Sequence, residues 1–163
     1  MIRPTIYIHH DAYNLPGRHL FTVDLQHSRE NYPKSILGYF TFYQYFIEKD
    51  GRVIHTRPDM DPDVVYKDAH RDSISVCLAG NFDRYDVTKE QKKSLRMLFE
   101  YFREKYGINP LHIKEHRDYQ VTSCPGSRIE KGYFAWLFVR TQYNMIQAMP
   151  YRVLLSLRGA QRH

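Results

Sequence analysis

Apolar and polar positions change period several times along this chain, and the changes mark its elements. TIYIHH, residues 5–10, is short, β-branched and aromatic, and predicts an opening strand that ends in two histidines. TVDLQHSREN, from Thr22, predicts a modest helix with Thr22 as its N-cap. Residues 38–54 are aromatic and β-branched on both sides of Asp50-Gly51, a tight-hairpin dipeptide, so a strand is expected on each side. SISVCLA, 73–79, reads as a further apolar strand closed by Gly80-Asn81. The clearest helix is TKEQKKSLRMLFEYFREKYG, 88–107. Thr88 and Gln91 fit a capping box, and Gly107 is a natural C-cap. Leu95, Leu98, Phe99, Phe102 and Tyr106 keep one apolar face. A last helix is expected over Lys131–Gln147, after which Pro150 sets off the basic-apolar stretch YRVLLSLRGAQRH. Strands mixed with helices, with no repeat or low-complexity linker, predict one α/β domain over 1–147 and a basic tail over 148–163.

Composition narrows the class. A chain of 163 residues can bury one core, and a hydrophobic fraction of 42% is ordinary for a folded globule. The 14 tyrosines suit a surface that stacks on rings or sugars. From Ser127 onward six cations face Glu130 alone, so most of the net +6 lies in the last quarter. That asymmetry points to an anionic partner: nucleic acid, membrane or an envelope polymer. A nucleic-acid reading motif is lacking, so no nucleic-acid partner is expected. Cys77 and Cys124 make no disulfide framework. The first residues lack an apolar run ahead of a cleavage site, and no stretch reaches about 18 apolar residues. The expectation is a protein made in the cytoplasm without a signal peptide.

The densest chemistry lies in LHIKEHRDYQVTSCPG, 111–126, which can be read in two ways. His112, Glu115 and His116 spell H-x-x-E-H, a helical metalloprotease pattern. Leu111 and Ile113 alternate with His112 and Lys114, however, which favours a strand, and loop residues follow at once. In the other reading His116 and Cys124, eight residues apart, join a distant histidine, His9 or His10. Neighbours on a strand point to opposite faces, so only one of that pair can serve. Two imidazoles and a thiolate give zinc three protein ligands and leave a position for water.

In order along Ile6–Gly126 stand IYIHHDA, YQYFIEKDGRVIHTRP, DSISVCLAGNF, TKEQKKSLRMLFEYF and EHRDYQVTSCPG. Together they resemble the zinc-dependent N-acetylmuramoyl-L-alanine amidases of type 2, a family that includes phage lysozyme-amidases and peptidoglycan recognition proteins. The phage enzymes look most similar. The resemblance implies a central mixed β-sheet flanked by helices. It also implies one Zn²⁺ held by His9, His116 and Cys124, with the Tyr43 hydroxyl in the site and Thr122 near the oxyanion. Tyr39 rivals Tyr43, but the distance to the Asp-Gly turn favours Tyr43. His10 becomes a groove or supporting residue, and His112 and Glu115 become strand neighbours. Two departures concern substrate contact: Ser75 stands where the family often has glycine, and Val65 where a histidine is usual. Cys77 occupies the place of a glutamate base in the cytosolic relatives, and reads as a buried small hydrophobe. His19, His27, His55, His70 and His163 are expected at the surface.

The implied activity is hydrolysis of the amide between N-acetylmuramic acid and L-alanine in peptidoglycan, in a monomeric phage or prophage endolysin. Such an enzyme would reach the wall by a holin, lysis or injection. The alternative is a non-catalytic recognition module of the same fold. Members of that kind generally lose the cysteine ligand, which this chain keeps. The tail is expected to reach anionic membrane or wall polymer, or to be simply solvated.

Overall fold

A computed structural model describes residues 3–61 and 72–148, the last five of these by their backbone alone. The element order is β1 (Thr5–His10), α1 (Leu20–Arg29), β2 (Tyr45–Ile47), β3 (Val53–His55), β4 (Ser73–Leu78), α2 (Lys89–Tyr106), β5 (Ile113–Glu115) and α3 (Tyr133–Ala148). Val65, His70, His163 and the expected tail, apart from the backbone of Ala148, lie outside the described residues.

One mixed five-stranded sheet runs β3-β2-β4-β1-β5. β4 pairs parallel with β1 and β2, β5 pairs parallel with β1, and β3 closes the other edge antiparallel to β2. Strand alternation sorts the side chains onto two faces. Ile6, Ile8, Tyr45, Ile47, Ile74, Val76 and Leu78 join Leu95, Phe99 and Phe102 of α2 and Phe134, Leu137 and Phe138 of α3 in the main core. Phe46 and Cys77 point the other way, into a smaller cluster with Leu20 and Val23 of α1 and with Tyr43. The expected layered architecture of sheet and flanking helices is therefore present. Among the described residues no helix is long and apolar enough to cross a membrane.

Local signals fix α2. Gln91 N donates to Thr88 Oγ1 at 3.0 Å, the Gln91 side chain returns to the Thr88 backbone, and Gly107 ends the helix at φ 64°. The hairpin forms around Asp50-Gly51, with Gly51 at φ 84°. Its tip packs so closely on α2 that a Cβ on Gly51 would stand 2.9 Å from Glu90.

Two expectations are corrected. Thr22 is not the cap of α1. The helix begins at Leu20, and its first amides are satisfied from a distance: the Glu48 carboxylate accepts from His19 N at 3.0 Å and Leu20 N at 3.1 Å. Residues 38–44 are not a strand either. From Phe40 to Phe42 the backbone amides are held by side chains instead: Asp24 accepts from Phe40 N and Thr41 N, at 2.6 and 2.8 Å, and His27 Nδ1 from Phe42 N at 3.3 Å.

Candidate metal centre

Sheet register assembles the centre. Phe46, Cys77 and His9 are partners across β2, β4 and β1, so they form one row on the α1 face. Ile8 pairs with Glu115, and His116 follows at once, level with His9. The two imidazole centroids lie 4.6 Å apart. Cys124 arrives from the loop after β5. Its Sγ is 3.9 Å from His9 Nδ1 and accepts from His10 N at 3.4 Å. One ligand atom from each of His9, His116 and Cys124 falls within a mutual 4.8 Å.

This donor set fits a zinc ion. Tetrahedral zinc with Zn–N and Zn–S bonds of ordinary length places neighbouring ligand atoms roughly 3.3–3.6 Å apart. The His9–Cys124 separation is within a few tenths of an ångström of that value. Burial pushes the Cys124 thiol up to about 12, although the amide of His10 opposes the shift. Such a thiol ionises near neutrality only beside a cation. His116 is half-buried and directs Nε2 to Gln120 Oε1 at 2.9 Å, so Nδ1 remains for the centre.

The loop from Cys124 is held in place by its backbone. Arg117 N donates to the Cys124 carbonyl at 3.0 Å. Gly126 sits at φ 137°, where a Cβ would meet Phe82 atoms at 2.5–2.6 Å. Only glycine allows so close a pass. Thr122 lies at the loop's approach, its Oγ1 accepting from Cys124 N at 3.2 Å.

Tyr43 closes the inner wall. Its ring lies 5.2 Å from His9, and it packs in one buried cluster with Cys77. Burial first, then the neighbouring thiols, raises the phenol well above its ordinary value, so it stays protonated. Two side chains fix the strap that carries Tyr43. Thr56 Oγ1 donates to the Tyr43 carbonyl at 2.6 Å, and the fully buried Arg57 donates from Nε to the Thr41 carbonyl at 3.0 Å. Arg57 also binds Asp61 at 2.9 Å and the Pro33 carbonyl. Tyr39 is only half-buried and sits four residues earlier in the strap, its carbonyl accepting from Ser35 N at 2.8 Å.

Other histidines separate from the centre. His10 turns to Phe82 N, from which its Nδ1 accepts at 3.2 Å. His112 bonds Asn109 at 2.9 Å. Glu115 is buried against Arg117 at 2.6 Å and accepts from Gly132 N at 3.1 Å, so it offers no base to a helical His-Glu-His site. His55 is at the surface, stacked on Tyr45. His19 and His27, expected at the surface, are buried. His19 lies between Asp11 at 2.7 Å and the Leu15 carbonyl at 3.0 Å, and His27 packs on Phe42. Their partners lie on loops that fold back on α1, which no helical periodicity announces.

The matching family model, described as N-acetylmuramoyl-L-alanine amidase, covers residues 3–127. The chain belongs to the N-acetylmuramoyl-L-alanine amidase family. That stretch contains every residue of the centre, and it makes the protein an amidase of this class. Solved structures give the same fold. The endolysin amidase LysCS from Clostridium intestinale is 24% identical, with 86% of this chain and 84% of that one covered and a TM-score of 0.68. The Ph2119 endolysin from a Thermus scotoductus bacteriophage is 20% identical, with 83% and 84% covered and a TM-score of 0.63. A mutant of Drosophila PGRP-LB in complex with tracheal cytotoxin is 17% identical, with 78% and 77% covered and a TM-score of 0.62. Comparison with curated protein sequences finds no match.

Proposed function

We propose that this amidase is a zinc-dependent, monomeric endolysin of phage or prophage origin. It cleaves the amide between the lactyl group of N-acetylmuramic acid and L-alanine. The observation that carries the reading is the convergence of His9, His116 and Cys124, with ligand atoms within 4.8 Å, inside the segment matched by the amidase family. These three residues would hold one Zn²⁺. Bound there, the ion would lower the pKa of water toward neutrality and polarise the scissile carbonyl.

The remaining work falls to the chain's own groups. Tyr43, kept protonated by burial, donates its hydroxyl hydrogen to the oxygen of the tetrahedral intermediate. Thr122 accepts from Cys124 N, which leaves its own hydrogen for the same oxygen. Placed donors of this kind contribute about 2.7–4 kcal/mol each to the transition state. Gln120 holds the His116 ring through Nε2 and so fixes which nitrogen faces the centre. The products are the free lactyl carboxylate and a stem peptide with an L-alanine amino terminus. The likeness to endolysins and the complex of PGRP-LB with tracheal cytotoxin support a cell-wall substrate.

Digestion of purified sacculi with the zinc-loaded protein should release stem peptides that begin with alanine, identified by mass spectrometry. Release of reducing sugar ends alone would contradict the reading. A recognition module without hydrolysis would carry no zinc, so metal content separates that reading as well.

A further inference from the structure

The solvent side of α3 is apolar. Trp136, Val139 and Tyr143 are 49%, 48% and 61% exposed, whereas Phe134, Leu137, Phe138 and Thr141 are buried. At about 100° per residue, the exposed three and Arg140 share an arc of roughly 100° opposite the core. The Arg140 guanidinium lies 5.2 Å from the Trp136 ring. At the start of α3 this stripe opens into a cleft of about 550 Å³, with Trp136 in its wall. Lys92, Arg128 and Lys131 line the cleft together with Asp86 and Glu130. Arg128 pairs with Asp86 at 3.1 Å and Lys131 with Asp118 at 3.3 Å, both exposed pairs of the weak kind. After Glu130 the sequence has no acidic residue, and it adds Arg152, Arg158 and Arg162.

We propose that the outer face of α3, with the cleft at its start, docks on an anionic lipid bilayer. Apolar and cationic groups alternate on one surface, and each needs a different part of the membrane. Trp136 and Tyr143 match the headgroup boundary, Val139 enters the acyl layer, and Arg140 with the cleft cations meets lipid phosphate. A soluble anionic polymer would engage the cations and leave the apolar stripe in water. The placement has a consequence for the proposed activity. α3 covers the sheet face opposite Phe46, Cys77 and His9, so a docked molecule turns its metal centre away from the bilayer.

Trp136 is the sole tryptophan, so its emission reports on this face directly. Vesicles containing phosphatidylglycerol should shift the emission of the full chain to the blue and carry the protein down on sedimentation. Both effects should weaken with phosphatidylcholine alone and with added salt. Brominated acyl chains should quench Trp136. Arg140→Glu should lower partition by at least about fivefold. Val139→Glu with Tyr143→Glu should remove the blue shift while preserving helicity and the rate on a soluble muropeptide. That amidase assay uses no vesicles and the vesicle assay uses no substrate, so either reading can fail without the other. Absence of quenching, unchanged emission with anionic vesicles, or the same blue shift with lipid-free peptidoglycan would overturn the proposal.

Discussion

The buried guanidinium of Arg57 donates from Nε to the carbonyl oxygen of Thr41 at 3.0 Å, two residues before Tyr43. Further bonds to Asp61 and Pro33 make it a pin through the strap that forms one wall of the centre. Arg57→Met removes all three donated bonds and should destabilise the fold by about 3 kcal/mol, read as a lower urea midpoint. Arg57→Lys keeps the charge but loses the fork. It should retain zinc and lose kcat, because Tyr43 shifts while the three proposed ligands do not.

Gln120 is exposed and would pass as a loop residue, yet it meets His116 Nε2 at 2.9 Å. Gln120→Ala should weaken zinc affinity by about tenfold, measured by competition with a chelating dye. His112→Ala should leave that affinity unchanged, since His112 is spent on Asn109.

Gly126→Ala tests the close pass beside Phe82. The added Cβ would meet backbone and side-chain atoms at 2.5–2.6 Å, and the backbone stands at a φ that L-residues avoid. A loss of at least about 2 kcal/mol is expected in thermal or urea unfolding. Zinc affinity should fall with it, because Cys124 lies on the same turn.

His27 sets a pH dependence. Burial lowers its pKa, with Glu30 and Asp24 opposing, and its Nδ1 accepts from Phe42 N and so must be unprotonated. The unfolded imidazole takes up its proton near pH 6.5, the folded one only below that. Between those two values the unfolded state binds more protons, so the contribution of His27 is intact above about 6.5 and is lost as pH falls. The melting temperature should drop from pH 7.5 to 5.5, and His27→Gln should flatten that slope.

Sequence periodicity made α2 legible down to its caps because Thr88, Gln91 and Gly107 act within a turn of the helix they bound. The start of α1 was not legible, since its capping carboxylate, Glu48, lies 28 residues beyond Leu20. Aromatic and β-branched composition suggested a strand through residues 38–44. There Asp24, His27 and Arg57 hold backbone groups that a ladder would otherwise pair, so tertiary context outweighed propensity. His19 and His27 were misplaced for a similar reason: their burial depends on Asp11, Leu15 and Phe42, none on their own helix. Spacing alone left His9 and His10 open as the third member of the centre. Register now sets His9 in the row of Cys77, while His10 faces Phe82. Cys77, read as a small buried hydrophobe, is fully buried and shares its cluster with Tyr43, whose place in the strap no strand pattern announces.

Zinc stoichiometry measured together with bond cleavage, in wild type and Cys124→Ala, tests the central claim most directly. Wild-type protein should carry one zinc per chain after gel filtration and release alanine-headed stem peptides from sacculi. Cys124→Ala should lose both. Wild-type protein that cleaves this amide while free of zinc, or a Cys124→Ala variant that keeps metal and full activity, would contradict the account.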